Sequence, residues 1–249
     1  MDHSSHARRL AARLAAELAP AATGIALLGS VANGTDHPDS DIDLVIAAHG
    51  PERVDVRQVE GRMVTLTRKS PEALAAALTH PWEAGAAAGA WRYAVVLHDP
   101  EGRMAALQAA ATSWTWDAIG AEADRWAAAE LVGLAEEVHK VCGMLALGRS
   151  RGAAANRLIL ALHLAAPLGA AHRIIVDSEN DLWDALADAE GPAWARAWDA
   201  AAGVTGEGHE AGCRGALALY RIAADRLARH LDTEARAVVD TACDRAART

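Results

Sequence analysis

The chain has 249 residues, 52% of them hydrophobic, with no Phe, eight Trp and a formal net charge of −9. That length allows one large domain or two smaller ones with a proper core, and the acidic balance argues against a nucleic-acid backbone as the main partner while suiting a small cationic molecule, although many acidic proteins have no such role. Cys142, Cys213 and Cys243 lie far apart without a C-x-x-C pair, and the eleven His show no ligand spacing, so neither a disulfide framework nor a zinc site is expected. No apolar run approaches the ~20 residues of a membrane span. The start, Met1-Asp2-His3-Ser4-Ser5-His6, has no signal-peptide form, so the expected location is the cytoplasm.

From Ser5 to Leu18, Leu10, Leu14 and Leu18 recur with Ala7 and Ala11, a helical stripe for core packing that Pro20 closes. Ile25 to Leu28 and Leu44 to Ala48 are short apolar runs that fit buried strands. Between them runs Gly29-Ser30-Val31-Ala32-Asn33-Gly34-Thr35-Asp36-His37-Pro38-Asp39-Ser40-Asp41-Ile42-Asp43. Strand alternation sends Asp41 and Asp43 to one face and Ile42 and Leu44 to the other. Two adjacent carboxylates repel, and the arrangement is stable mainly when a divalent cation neutralises it; a hard ion such as Mg²⁺ takes carboxylates together with substrate phosphates. The backbone N–H groups of Gly29 and Ser30, where a strand ends, can face an anion at close range. The pattern predicts a metal-bound polyphosphate. Asp, Ser and Gly between apolar runs are also ordinary turn residues; the metal reading gains weight from the order strand, Gly-Ser, ten residues, D-x-D, strand. This stretch resembles the signature of the nucleotidyltransferase superfamily that includes DNA polymerase β.

Arg53 to Val59 and Met63 to Arg68 alternate as strands about Glu60-Gly61, a hairpin. Ser70-Pro71-Glu72 has the form of a helix start, with Ser as cap and Pro in the first turn, followed by Ala73 to Leu78. Tyr93 to Leu97 is a further apolar run ended by the turn Asp99-Pro100-Glu101-Gly102, and helix resumes at Leu107. Trp82, Trp91 and Trp114 are expected in the core or a domain seam rather than stacked on a base. Beyond Asp117 strand signals almost vanish and the chain reads as a helical bundle. Trp126 to Leu147, Ala153 to Ala171, Asp181 to Ala189, Trp194 to Ala202 and Glu210 to Ala247 are its helices, with Leu131, Leu134, Val138, Val141 and Leu145 on the apolar side of the first. Within that helix Glu136 and Lys140 are four residues apart and share a face. A solvated ion pair is the plain reading of them.

Along most of its length the chain resembles the kanamycin (aminoglycoside) nucleotidyltransferases. The resemblance is carried by Gly29-Ser30 followed by Ser40-Asp41-Ile42-Asp43, by Ser70-Pro71-Glu72-Ala73-Leu74, by Leu97-His98-Asp99-Pro100-Glu101-Gly102, by Ala135-Glu136-Glu137-Val138-His139-Lys140 and by His172-Arg173-Ile174. It implies an α+β chain, with a nucleotidyltransferase domain of mixed sheet and flanking helices over 1–116, and a helical bundle for substrate binding and dimerisation over 117–249. It further implies Mg²⁺ on Asp41 and Asp43, ATP or another NTP as co-substrate, and Glu136 as the base that takes the proton of a sugar hydroxyl. Gly29, Ser30, Asn33, Ser40, Lys140 and Ser178 are the residues it places around the nucleotide, and two subunits form a homodimer. Two departures stand out. Asn33 replaces an Arg of the resembling family, and Thr65 stands about where that family has a third metal-site carboxylate. The expected reaction is transfer of a nucleoside monophosphate to a hydroxyl of a small cationic acceptor such as an aminoglycoside. The alternatives are an inactive nucleotide-binding relative and an antitoxin-type enzyme that modifies a protein.

Overall fold

In a computed structural model the described residues are 3–249. They divide into two compact units: one extends to Ala118 and takes in Ile175–Glu179, and the other comprises Ile119–Ile174 and Asn180–Thr249.

The first unit begins with helix α1 (His3–Leu18), then β1 (Gly24–Leu28), a short helix α2 (Gly29–Asn33), β2 (Ile42–Ala47), β3 (Arg53–Val59) and β4 (Arg62–Lys69). Helices α3 (Pro71–Ala76) and α4 (Ala84–Arg92), strand β5 (Val95–His98) and helix α5 (Arg103–Ser113) complete it. The five strands form one mixed sheet in the order β3-β4-β2-β1-β5, with β2 and β4 parallel and the other neighbours antiparallel. β1 is buried along its whole length. One sheet face carries Ile25, Leu27, Ile42, Leu44, Ile46, Val64 and Leu66, which pack with Ala7, Leu10, Ala11 and Ala15 of α1, so the helical stripe and the strand alternation read in the sequence close on each other. On the opposite face Gly24 leaves no room for a side chain because Met104 of α5 lies against it. Ser70 caps α3, its Oγ accepting from the Ala73 N–H at 3.0 Å.

β3 is an outer strand and its residues are largely exposed. Val54 and Val56 point into solvent on one side, while Asp55 and Arg57 lie in register with the buried Leu66 and Val64 on the other. Trp91 and Trp114 are core residues, the Trp114 indole N–H donating to the Leu78 carbonyl at 2.8 Å. Trp82 departs from the expectation for the three: it is exposed and stacks on His80 with ring centroids 4.7 Å apart.

The second unit is helical: α6 (Gly120–Ala146), α7 (Ser150–His163), α8 (Ala165–Ala171), α9 (Leu182–Glu190), α10 (Pro192–Ala202), α11 (His209–Leu227) and α12 (Thr233–Ala247). The apolar side of α6 enters a core around the fully buried Tyr220, whose hydroxyl donates to the Leu131 carbonyl at 3.2 Å. Burial pushes the Tyr220 phenol well above its usual range. Trp183, Trp198 and Trp194 stack in that core, with centroids 4.2 and 5.8 Å apart. Two long helices read in the sequence are each broken. Pro167, which lacks an N–H, stands in the first turn of α8 and separates it from α7 at Leu164. Asp232 starts α12 afresh, its carboxylate accepting from the Ala235 N–H at 2.8 Å. Ser150–Ala171 has the length and apolar composition of a membrane span, a stretch the sequence reading did not single out, and half of it is buried. Ala153, Leu160, Ala161, Leu164 and Leu168 of that stretch are core residues of the bundle.

The return of Ile175–Glu179 to the first unit depends on one small residue. A Cβ on Gly89 of α4 would collide with the backbone carbonyl of Val176. Gly89→Ala should therefore lower stability by about 1–3 kcal/mol by forcing that segment outward, whereas Gly133→Ala, at a position on α6 with open space around it, should raise it by about 0.5–1 kcal/mol. Thermal unfolding of the two variants against the parent checks the opposite signs.

Candidate active site

The site is built where β1 ends and β2 begins. Asp43 faces Leu28 in the antiparallel pair and Thr65 in the parallel pair. Side chains in register on neighbouring strands share a face, so Asp43 and Thr65 emerge together, with Asp41 two residues earlier on the same side. This is the face away from α1, because Ile42 and Leu44 take the core side. The Thr65 hydroxyl donates to Asp41 Oδ2 at 3.0 Å. At the position where the resemblance gives a carboxylate, this chain therefore supplies a hydroxyl that orients Asp41.

Gly29 follows directly with a φ of +71°, and a Cβ there would run into Asp43 Oδ2. A glycine is required on both counts: the left-handed backbone and the close approach to the carboxylate. The loop to Asp41 is fastened from several sides. The Asn33 Oδ1 accepts from the Thr35 N–H at 3.0 Å and from its hydroxyl at 2.6 Å, and the Ser40 Oγ accepts from the His37 N–H at 3.0 Å. Arg62, only 8% exposed, donates to the Pro38 carbonyl at 2.7 Å and lies 3.9 Å from Asp36. Ser4 of α1 donates to Asp36 Oδ1 at 2.6 Å. Asn33 and Ser40 thus serve, in these contacts, the shape of the loop that carries Asp41.

Burial pushes the Asp43 carboxyl up to about 6, and the charges of Asp41 and Glu179 together with a hydrogen bond to Asp41 push the same way. Asp41 and Asp43 thus form a hard-oxygen pair under like-charge pressure, with a glycine-lined backbone beside them. That donor set fits a divalent ion such as Mg²⁺ whose other ligands are substrate phosphates and water. Among the described residues no group of three or more His, Cys, Asp or Glu is placed to hold a metal.

Ser178 belongs to the segment Ile175–Glu179 that folds with the first unit, the unit of Gly29, Ser30, Asp41 and Asp43. Glu179, which sequence reasoning passed over, sends its charge to Asp43 from the same segment. Glu136 and Lys140 lie on α6, in the second unit. The Lys140 ammonium is held by both neighbours, at 3.0 Å from Glu136 Oε1 and 2.8 Å from Glu137 Oε1, and those bonds, the Glu137 one foremost, raise its pKa. Pairing with Lys140 therefore does not separate the two glutamates. Exposure does: the Glu136 side chain is 73% exposed and that of Glu137 13%, with Glu137 Oε2 buried without a hydrogen-bond partner.

The mixed sheet that carries the paired aspartates is followed by a helical region. Residues 8–73 match the family described as Nucleotidyltransferase domain. A solved nucleotidyltransferase-like protein from Exiguobacterium sibiricum has the same fold, with a TM-score of 0.53 at 14% identity over 88% of this chain and 75% of that one. No curated protein matches the sequence.

Because the folded-state pKa of Asp43 lies above its ordinary value of 3.8, the folded protein holds a proton between about pH 4 and 6 that the unfolded chain has released, and stability falls as pH rises through that window. Asp43→Asn should accordingly raise stability near pH 8 by about 1 kcal/mol, after discounting for solvent screening, and change it little near pH 4. Mg²⁺ should raise the melting temperature of the parent near pH 8 but not that of Asp43→Asn. Differential scanning fluorimetry at both pH values, with and without Mg²⁺, checks both statements.

Proposed function

We propose that the protein transfers a nucleoside monophosphate from ATP or another NTP to a hydroxyl of a small cationic molecule, most consistent with an aminoglycoside, and releases pyrophosphate. The observation that carries this reading is the pairing of Asp41 with Asp43 beside Gly29 on one sheet face. Asp41 and Asp43 would hold Mg²⁺, with Thr65 keeping the Asp41 carboxylate in place. An ion held there would supply charge neutralisation for the triphosphate. The backbone at Gly29 and Ser30, with Asn33 and Ser40 in the adjoining loop, lines the phosphate side, and Lys140 and Ser178 complete the nucleotide contacts. Glu136 accepts the proton of the attacking hydroxyl as its oxygen bonds to the α-phosphorus and the bond to the leaving phosphate breaks. The net charge of −9 suits a polycationic acceptor.

The active form in this reading is a homodimer in the cytoplasm, assembled through the Ala- and Leu-rich helical half. One observation favours a second reading, a nucleotide-binding relative without turnover: the hydroxyl of Thr65 in place of a third carboxylate.

Pyrophosphate release from ATP and Mg²⁺, with and without a kanamycin-like acceptor, separates the two readings, and only release that depends on the acceptor supports transfer. Asp41→Asn and Asp43→Asn should each abolish that release while the fold persists. Glu136→Gln should lower turnover by ~10² or more with nucleotide binding little changed, and Glu137→Gln much less; the reverse ranking would move the base to Glu137. Light scattering at micromolar concentration should show a dimer.

A further inference from the structure

Arg173 stands at the end of α8 in a conformation that glycine normally takes. Its φ is +59°, and among the described residues the only other non-glycine with positive φ is Glu60, in the hairpin turn before Gly61. The surrounding bonds are those of a Schellman cap: the Ile174 N–H donates to the Gly169 carbonyl at 2.9 Å and the Arg173 N–H to the Ala170 carbonyl at 3.0 Å. A side chain at the left-handed position of such a cap is strained, and a glycine would relieve the strain. The guanidinium gives the reason for an arginine. Nη1 donates to the Ala170 carbonyl at 2.7 Å, while Nη2 donates to the Gly120 carbonyl at 3.2 Å and to Asp124 Oδ2 at 2.9 Å. The guanidinium lies close over Gly120, 3.4 Å from where a Cβ would stand, an ordinary van der Waals contact.

These anchor points coincide with the chain's crossings between its two units. Gly120 follows directly on the crossing at Ala118–Ile119, and Arg173 comes just before the crossing at Ile174–Ile175, after which Ile175–Glu179 joins the first unit. One guanidinium therefore ties the helix that begins after the first crossing to the cap that precedes the second. We propose that Arg173 is a positioning residue: by clasping Gly120 and Asp124 it fixes where Ile175–Glu179 departs, and so sets Ser178 at the nucleotide. Seen from the first unit, the same segment is registered by its close approach to Gly89, so it is defined at its start by Arg173 and along its length by α4. The inference rests on the assignment of Ser178 to the nucleotide.

Arg173→Gly isolates the clasp from the cap, because glycine keeps the Schellman bonds, removes the strain and deletes only the guanidinium. The expected result is a melting temperature close to the parent's, faster amide exchange at 175–179 with β1 and β2 still protected, and binding of Mg²⁺–ATP weakened about tenfold, the scale of one charged or preorganised hydrogen bond. Ser178→Ala should weaken Mg²⁺–ATP binding by a similar factor, and the double variant should bind no more weakly than Arg173→Gly alone, since both remove the same contact. Arg173→Lys, which keeps the pairing with Asp124 and loses the carbonyl bonds, should fall between, and it carries the same comparison if Arg173→Gly does not fold. Unchanged exchange at 175–179 in Arg173→Gly overturns the clasp. Multiplying losses in the double variant overturn its link to Ser178. Ser178→Ala without effect on binding, alongside faster exchange in Arg173→Gly, removes the Ser178 assignment and with it the proposal's consequence for the nucleotide.

Discussion

Two carboxylates forced onto one face of a buried strand are the constraint that the first unit is built to meet. Ionising both in a half-buried place is unfavourable, and Asp43 answers by keeping its proton to about pH 6. What prevents the strand from simply turning them outward is the other face of β2. Ile42, Leu44 and Ile46 are fully or almost fully buried against α1, each contributing roughly 1.5–3 kcal/mol, so rotating Asp41 and Asp43 away would expose all three. The neighbours are chosen to suit: Thr65 offers a donor to Asp41, and Gly29 offers no side chain to Asp43. Repulsion is thus stored by hydrophobic burial on the opposite side of a single strand.

The second unit presents a different electrostatic arrangement. A single ammonium, that of Lys140, lies between an exposed and a nearly buried glutamate. In the exposed partner solvent screens the attraction; in the buried one the ion pair with Lys140 offsets the loss of hydration. Two adjacent residues of one helix therefore have distinct properties although both touch the same cation. Glu136 keeps its carboxylate in solvent, while Glu137 holds Lys140 from a nearly buried position.

What the sequence made legible was local or periodic. The Leu10, Leu14 and Leu18 stripe, the alternation around Glu60-Gly61, the Ser70-Pro71 helix start and the D-x-D between apolar runs each depend on residues a few positions apart, and each appears in the fold. The breaks at Leu164 and Asp232 were written locally too, in Pro167 and in an Asp-Thr-Glu start signal, but uninterrupted Ala-rich composition masked them. The rest is long-range. That Ile175–Glu179 goes back to the first unit depends on Gly89, on Arg173 and on packing far along the chain, none of which has a periodicity. The sharing of Lys140 depends on side-chain reach: positions three and four residues away are both within it, so helical spacing alone could not choose between Glu136 and Glu137.

The outer strands of the sheet also bear on how the protein behaves in a crowded solution. An uncovered strand edge is a template for any other extended chain. β5, one of the two edges, has only four residues. β3, the other, carries Arg53, Asp55 and Arg57 on the side where an added strand would seek apolar partners, with Arg53 and Asp55 already paired at 3.0 Å. A strand docking there would have to desolvate those charges. The deterrent acts on one side of the edge alone, because Val54 and Val56 on the other side of β3 are exposed and offer an added strand apolar contact.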